Sequence, residues 1–396
     1  MKIAQATIKI VHADECMDVR DGTHDSPKFI EKGIPLVTSK NLVNGKIDFS
    51  TCSFISEEDH EAISKRSRVD DGDILYAMIG TIGNPVIVNK DSDFSIKNVA
   101  LFKFNNPDVY NRYIYHFLNS DLAKKQLAKL SRGGTQKFIS LGNLRKLKIP
   151  LPPLEEQRRI ASILDKADEL RQKRQQAIEK LDQLLQATFI DMFGDFQINP
   201  MNWQTKPLSE VVNNTTIVTY GIVQAGEEYR DGIPYIRTGD IKNGSILTEN
   251  LSRTDPEIAK KFKRSEVQTG DIVMSIRATV GTTALVPKIL NGANLTQGTA
   301  RIAVGENIER EYALYHLRCQ ATQNWIQKQV KGATFREITL GKLRELPVYL
   351  PPRDLQKKFV EIYNSIEMLK LNANKSLESS KQLFKSLQNQ AFSGNL

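Results

Sequence analysis

The chain is written twice. Gly33-Ile34-Pro35, Asn44-Gly45 and Ile47 recur as Gly232-Ile233-Pro234, Asn243-Gly244 and Ile246. Gly72-Asp73-Ile74 and Gly83 return as Gly270-Asp271-Ile272 and Gly281. The longest echo sets Gly133, Thr135, Ile139, Leu141-Gly142, Leu144-Arg145, Leu147, Leu151-Pro152-Pro153 and Gln157 against a second set. That set is Gly332, Thr334, Ile338, Leu340-Gly341, Leu343-Arg344, Leu346, Leu350-Pro351-Pro352 and Gln356. The offset stays at 198 to 199 residues, so the order of elements is duplicated and not only the composition. Two copies of roughly 150 to 200 residues are two folded units, not a solenoid of short repeats. Two similar but unequal halves suit a target that itself has two unequal halves.

A chain of 396 residues, 40% hydrophobic and 26% charged, is that of a soluble globular protein of two or three domains. No apolar run approaches the ~20 residues that span a bilayer, and no signal-peptide pattern opens the chain. Cys16, Cys52 and Cys319 are scattered and the five histidines form no His-x-x-x-His pair. A cytoplasmic protein without membrane, metal, disulfide or cofactor is therefore expected. The formal charge is +9; segments 154–192 and 352–396 together carry +2, which leaves +7 on the two bodies. An excess on globular domains fits phosphate binding as well as a generic basic surface.

Each repeat has a strand-rich body followed by a long helical pattern. Ile34–Val37, Asp73–Met78 and Pro85–Val88 read as short strands between turn signals. Asn111–Leu130 and Glu309–Gln329 read as helices, so each body is α+β. The long helices start after Leu-Pro-Pro, where proline has no N–H bond to lose and Glu155 and Glu156 complement the helix dipole. The first seam is Ile160, Leu164, Ala167, Arg171, Arg174, Ile178, Leu181 and Leu185, and Gly194 supplies its stop. The second is Phe359, Ile362, Ile366, Leu369, Ala373, Ser376, Ser380, Leu383 and Leu387. Both alternate steps of three and four, with polar residues midway, as imperfect coiled-coil seams.

The boundaries are body one at 1–153, a central helix at 154–193, body two at 194–351 and a C-terminal helix at 352–396. Each helix would be ~40 residues and ~60 Å long. Connectivity sends the first helix from body one to body two and the second back. The expected fold is thus two tandem mixed α/β domains joined by an antiparallel coiled coil, with pseudo-twofold symmetry. A length of ~60 Å exceeds one turn of B-DNA.

At this point the residues resemble the specificity subunit of type I restriction-modification enzymes. The strings are Leu151-Pro152-Pro153-Leu154-Glu155-Glu156-Gln157 and Met192-Phe193-Gly194-Asp195, with Asn199-Pro200 and Trp203 after them. Ala391-Phe392-Ser393-Gly394-Asn395-Leu396 and Asp21-Gly22-Thr23-His24-Asp25-Ser26-Pro27 also fit. Phe196 stands where the family has proline, and the short lead-in leaves the first strand or helix of body one open. The resemblance implies a noncatalytic subunit whose two target-recognition domains each read one half of a bipartite site in double-stranded DNA. The helices would act as a ruler and dock two adenine-N6 methyltransferase (modification) subunits, which restriction (translocase/nuclease) subunits join.

Absences agree. The Pro-Pro pairs lie at helix starts, not in the Asn/Asp/Ser-Pro-Pro-aromatic loop that grips a flipped adenine. No Gly-x4-Gly-Lys-Ser/Thr or Gly-x-Gly-x-x-Gly cradles phosphates. Asp73 and Asp271 lack a Glu-x-Lys at nuclease spacing and read as turn residues. Arginine reads guanine and Asn or Gln reads adenine with two bonds each, so unmatched polar residues beside matched scaffold are the DNA-binding candidates. In body one these are Arg20, Asp21, His24 and Lys28 around the Gly22–Pro27 loop. Lys40 and Asn41, after Ser39, stand opposite Thr238, Gly239 and Asp240. Body two adds Arg237 and Arg277, the latter facing Ile79 or nearby. The loops 133–137 and 332–336 keep glycine and threonine but exchange Gln136 for Phe335 and Lys137 for Arg336. Glycine lets such a loop approach a phosphate closely. Trp203 and Trp325 read as core. Two other readings stay open: the recognition half of another two-part restriction-methylation system, and a coiled-coil scaffold with no DNA role. The basic excess on the bodies argues against the second.

Overall fold

A computed structural model of the chain describes residues 8–80, 82–130, 138–213, 215–332 and 335–396. Body one opens with β1 (Lys9–His12), α1 (Ala13–Cys16) and β2 (Asp18–Asp21). It continues through β3 (Ile34–Val37), the hairpin β4 (Leu42–Val43) and β5 (Lys46–Ile47), β6 (Ser53–Ile55) and α2 (Glu57–Ser67). Next come β7 (Ile74–Ala77), β8 (Gly83–Ile87), β9 (Ser95–Ile96) and β10 (Val99–Lys103). The body ends with α3 (Asn111–Asn119), α4 (Asp121–Leu130), α5 (Leu141–Arg145) and β11 (Lys148–Leu151), and α6 (Leu154–Phe193) follows.

Body two repeats this order. Its elements are β12 (Gln204–Pro207), α7 (Leu208–Val211), β13 (Thr219–Tyr220), β14 (Ile233–Ile236), β15 (Ile241–Lys242) and β16 (Ser245–Ile246). After them run β17 (Arg253–Thr254), α8 (Pro256–Lys261), β18 (Ile272–Ser275), β19 (Thr283–Leu285), β20 (Asn294–Leu295) and β21 (Thr299–Ile302). Then α9 (Arg310–Arg318), α10 (Gln320–Gln329), α11 (Leu340–Arg344) and β22 (Pro347–Leu350) lead into α12 (Arg353–Ser393). The sheets match one for one. Order β2-β10-β7-β8 is echoed by β13-β21-β18-β19, and β6-β3-β9 by β17-β14-β20. The pairs β1-β11 and β4-β5 return as β12-β22 and β15-β16. The short lead-in thus carries both a first strand and a first helix.

Strand β7 shows why these sequences lack simple alternation. Ile74, Tyr76 and Met78 face one hydrophobic core while Leu75 and Ala77 face another. Ile272, Met274 and Ile276 face one core and Val273 another in body two. A strand covered on both sides reads as a continuous apolar run.

The repeated motif residues turn out to be internal fasteners. Gln157 donates to the Pro152 and Asp108 carbonyls and accepts from the Tyr110 N–H, fixing the start of α6 to its body. Gln356 donates to the Pro351 carbonyl and accepts from the Glu309 N–H. The Arg145 guanidinium donates twice to the Val19 carbonyl, at 3.1 and 2.9 Å, and Arg344 does the same to Val218 at 3.2 and 2.8 Å. Asp73 and Asp271 close turns through the Asp70 and Gln268 N–H groups, and each also takes a buried cation, Lys103 at 2.8 Å or Arg301 at 2.7 Å. Burial with a fixed partner suits a structural ion pair better than a metal ligand.

By compactness the chain divides into residues 1–176 with 374–396, and residues 177–373. Each unit therefore contains its body, part of α6 and part of α12. In the first unit Ile160, Ala161 and Leu164 share a core with Ala391 and Phe392. Arg159 donates to the Leu396 carbonyl and Arg174 to that of Ser376, both at 2.7 Å, so the helices there are antiparallel. In the second unit Phe189 and Phe193 pack on Phe359, and Asp182 pairs with Lys370 at 2.8 Å. The order is again antiparallel. The polar middle of the seam has its partners: Arg174 also bonds the Ser380 hydroxyl, and the Arg171 guanidinium lies over the Phe384 ring.

Two expectations need correction. The helices expected over 111–130 and 309–329 are each broken, at Ser120 and Cys319, which adopt extended backbone. The Ser120 hydroxyl donates to the Phe117 carbonyl and accepts from the Ala123 N–H, ending one helix while capping the next. The α12 seam is shifted at alternate positions. Ile362, Leu369 and Leu383 are exposed, whereas Tyr363, Ile366, Leu377, Ser380 and Ala391 are buried, with Lys370 and Phe384 partly so. Tyrosine, the lysine stem and phenylalanine do the packing that leucines were expected to do.

Candidate nucleic-acid interface

In each body four segments meet at one rim. In body one they are 38–41, 78–80, 97–98 and the start of α5's lead-in at Phe138. Thr38, Ser39, Lys40, Asn41, Ile79, Gly80, Lys97 and Asn98 help line a cleft of about 600 Å³. Ile79 bridges Phe138, and the Ile139 N–H donates to the Met78 carbonyl at 3.0 Å. In body two, Arg277 bridges Glu337 in the same way, and the Ala278 N–H donates to the Arg336 carbonyl at 3.0 Å. Arg277 is thus the structural counterpart of Ile79.

Within this frame the candidates separate by role. Asn41 and Asp240 occupy equivalent turns and look inward. The Asn41 amide accepts from the Thr38 N–H at 2.9 Å and donates to Asp48 and Thr51. Asp240 accepts from the Arg237 N–H at 2.8 Å and pairs with its guanidinium. Both side chains are spent on closing the turn. Arg20 is held by Asp18 and the Arg66 carbonyl. Asp21 is buried between Arg66 and His24. Lys28, Lys40, Arg237, Arg277 and Arg336 are exposed at least in part, and Thr238 is half-buried beside them. Gln136 and Lys137 lie outside the described residues.

His24 has an acceptor on each ring nitrogen, Asn98 Oδ1 at 2.8 Å and Asp21 Oδ2 at 3.0 Å. The Asn98 bond, then the Asp21 carboxylate, lift its pKa above the ordinary 6.5 although partial burial opposes them. Ser39 donates to the Asn98 carbonyl and Lys97 donates to Ser26, so the Gly22–Pro27 loop and the 38–41 turn form one cluster. The loop can pass there because Gly22 has no Cβ, which would run into the Ile96 carbonyl; Gly221 meets the Leu295 carbonyl in the same way.

Sequence reasoning missed Arg66, Lys97 and Asn98. Asn98 carries a signal, since it sits just before a strand and has a positive φ of 53°. In body two Gly298 is an added residue at this place, between Gln297 and Thr299, and a Cβ there would approach Thr238 Oγ1 and Arg277 Cβ. The rim is therefore built of cations, amides and hydroxyls carried on short turns between rigid strands. Such groups can meet phosphate oxygens and base edges. Among the described residues no His/Cys/Asp/Glu group could hold a metal ion, and no helix is long and apolar enough to cross a membrane.

Comparison with known proteins agrees with this architecture. The sequence model of the family described as "Type I restriction modification DNA specificity domain" matches residues 28–180 and 200–379. The type I restriction enzyme EcoBI specificity subunit of Escherichia coli is 25% identical, over 92% of this chain and 80% of that protein. A putative type I restriction enzyme MjaX specificity subunit of Methanocaldococcus jannaschii is 25% identical, over 96% of this chain and 91% of its own. Among solved structures, the type I restriction-modification S subunit from M. genitalium superposes with a TM-score of 0.56. It is 15% identical and the match covers 99% of this chain and 98% of that one. A chain from a study of assembly and conformational transition of the type I R-M system gives 0.58, at 20% identity and full coverage of both.

Proposed function

Because the chain belongs to the type I restriction modification DNA specificity family, we propose that it is the noncatalytic subunit that gives such a complex its DNA sequence. Each body reads one half of an asymmetric bipartite duplex site. In functional terms the divisions are 1–153 and 194–351 for recognition, and 154–193 and 352–396 for spacing and docking. Two adenine-N6 methyltransferase subunits bind along the long helices, and restriction subunits join that core in the cytoplasm. The chain itself holds no cofactor; methyl donor and ATP belong to its partners.

The observation that carries the reading is the duplicated rim. Fasteners such as Gln157 and Gln356 or Arg145 and Arg344 keep the same bonds in both bodies. The exposed turns differ: Ile79 against Arg277, and Lys97-Asn98 against Thr296-Gln297-Gly298. A common scaffold with different side chains at one edge is what reading two different half-sites requires. Methylome sequencing of the host with and without this chain tests it. The expected result is loss of one bipartite adenine-methylation motif and of no other. An unchanged methylome would refute the reading.

A further inference from the structure

Body two carries a feature that recognition by hydrogen bonds does not use. Phe335 is 87% exposed, more than any other large hydrophobic residue among those described. It does not hang on a loose loop. Lys331 and Glu337 exchange two backbone hydrogen bonds of 2.9 and 3.0 Å at the base. The Arg336 carbonyl accepts from the Ala278 N–H, Arg277 pairs with Glu337 at 2.9 Å, and the Arg336 guanidinium bonds Gln327. Gly332, at φ +86°, lets the Phe335 carbonyl fold back where a Cβ would collide with it.

The partner turn is strained at the same place. Ala278 has φ +57°, and every other non-glycine residue with positive φ among those described is an asparagine. Alanine gains nothing locally from that conformation, and such outliers persist where surrounding structure holds them for use. A rigid, strained platform that keeps a bare phenylalanine in water is costly unless the ring enters something. The surroundings say what. Residues 320–336 contain Lys328, Lys331 and Arg336 and no acidic residue. Apolar side chains flanked by cations insert between base pairs, unstacking a step and kinking the duplex.

We propose that Phe335 is a wedge that enters the base stack of the half-site read by body two, with Arg277 and Arg336 on the flanking phosphates. This rests on the DNA-reading function proposed above. The steps that yield most easily are pyrimidine–purine, so the wedge would favour such a step without bonding either base. In body one the corresponding position is Gln136, so the distortion belongs to one half-site only.

The test uses the complex purified from its host on this chain, and a duplex carrying the methylome-derived site. Dyes flanking either half-site report bending by energy transfer. The wild-type complex is expected to bend the half-site of body two. Phe335→Ala should abolish that bend and weaken binding roughly tenfold, while Phe335→Leu retains both and the other half-site is unaffected. The side chain is exposed, so the variant should fold, which its melting temperature checks. Binding and bending by Phe335→Ala equal to wild type would overturn the wedge. So would an unchanged bend with loss of co-purifying subunits, which would make Phe335 a protein contact. A wild-type complex that binds no duplex would sink the DNA reading itself, a separate and visible failure.

Discussion

At the scale of single residues, the two bodies solve one packing problem in two ways. Position 117 is phenylalanine in body one and its counterpart is His316 in body two. The strand residue beside it is Pro150 in one and Tyr349 in the other. Proline has no N–H, so a phenyl ring can sit there; the Tyr349 N–H needs an acceptor and finds His316 Nε2 at 3.2 Å. Replacing His316 with Phe should orphan that N–H and cost about 1–3 kcal/mol. Trp203 and Trp325, the only tryptophans, both lie in body two, so denaturant unfolding followed by their fluorescence reports this body alone. Complete burial also pushes the His316 pKa down to about 3 from 6.5. The unfolded chain takes up the proton first. Stability is therefore full above pH 6.5 and falls as the pH drops toward 3, by ~1.4 kcal/mol per pH unit. His316→Phe should flatten that slope between pH 6 and 4; an identical slope in both proteins would contradict it. Asp165 of α6 is the opposite kind of group. Burial would raise its pKa, but hydrogen bonds from His116 and Arg112 outweigh burial and hold it at about 2. Its stabilisation is present above pH 3.8 and is lost as the pH falls through 2. Asp165→Asn should cost ~2 kcal/mol at pH 7 and much less at pH 2, measured by calorimetry.

At the scale of elements, the register of α12 decides which leucines matter. Leu377 is buried, while Leu369 and Leu383 are more than half exposed. Leu377→Ala should cost ~2–4 kcal/mol and Leu369→Ala or Leu383→Ala under ~0.5 kcal/mol in thermal unfolding. Equal losses at all three would mean that the seam expected from sequence, and not the shifted one, is in use. The long helices also carry the proposed ruler. Inserting one heptad after residue 176 and another after residue 373 falls where the compact units divide, so neither loses its own packing. Each helix lengthens by ~10 Å, close to three base pairs. The methylated half-sites should stay as they are and the spacer between them should grow by about that amount. Altered half-site sequences would show that the helices do more than set distance.

At the scale of the whole molecule, duplication implies divisibility. If each body reads its own half-site, exchanging residues 1–153 for the corresponding body of another family member should replace one half of the methylated motif. The other half should survive, as methylome sequencing would show directly. A swap that changed both halves would mean that recognition is shared between the bodies. Charge makes a second distinction. Arg237→Ala and Arg277→Ala remove groups at the rim of body two only, so any loss, ~1–3 kcal/mol per lost bidentate base contact, should fall on its half-site.

The α+β class, the two bodies and the two long helices were legible because duplication, Leu-Pro-Pro punctuation and seam periodicity are local signals that survive in one dimension. The first seam, Ile160 to Leu185, reads correctly for the same reason. Three things were decided only by tertiary contact. Ser120 and Cys319 break helices whose composition is continuous, since a hydroxyl or a changed backbone angle leaves no periodic trace. The α12 register depends on which neighbours Tyr363, Lys370 and Phe384 meet, and hydrophobicity alone preferred the leucines. The inward turn of Asn41 and Asp240, and the outward projection of Phe335, depend on where each loop is pinned. Sequence tells which residues could bond a base; only folding decides which of them are already bonded to the protein.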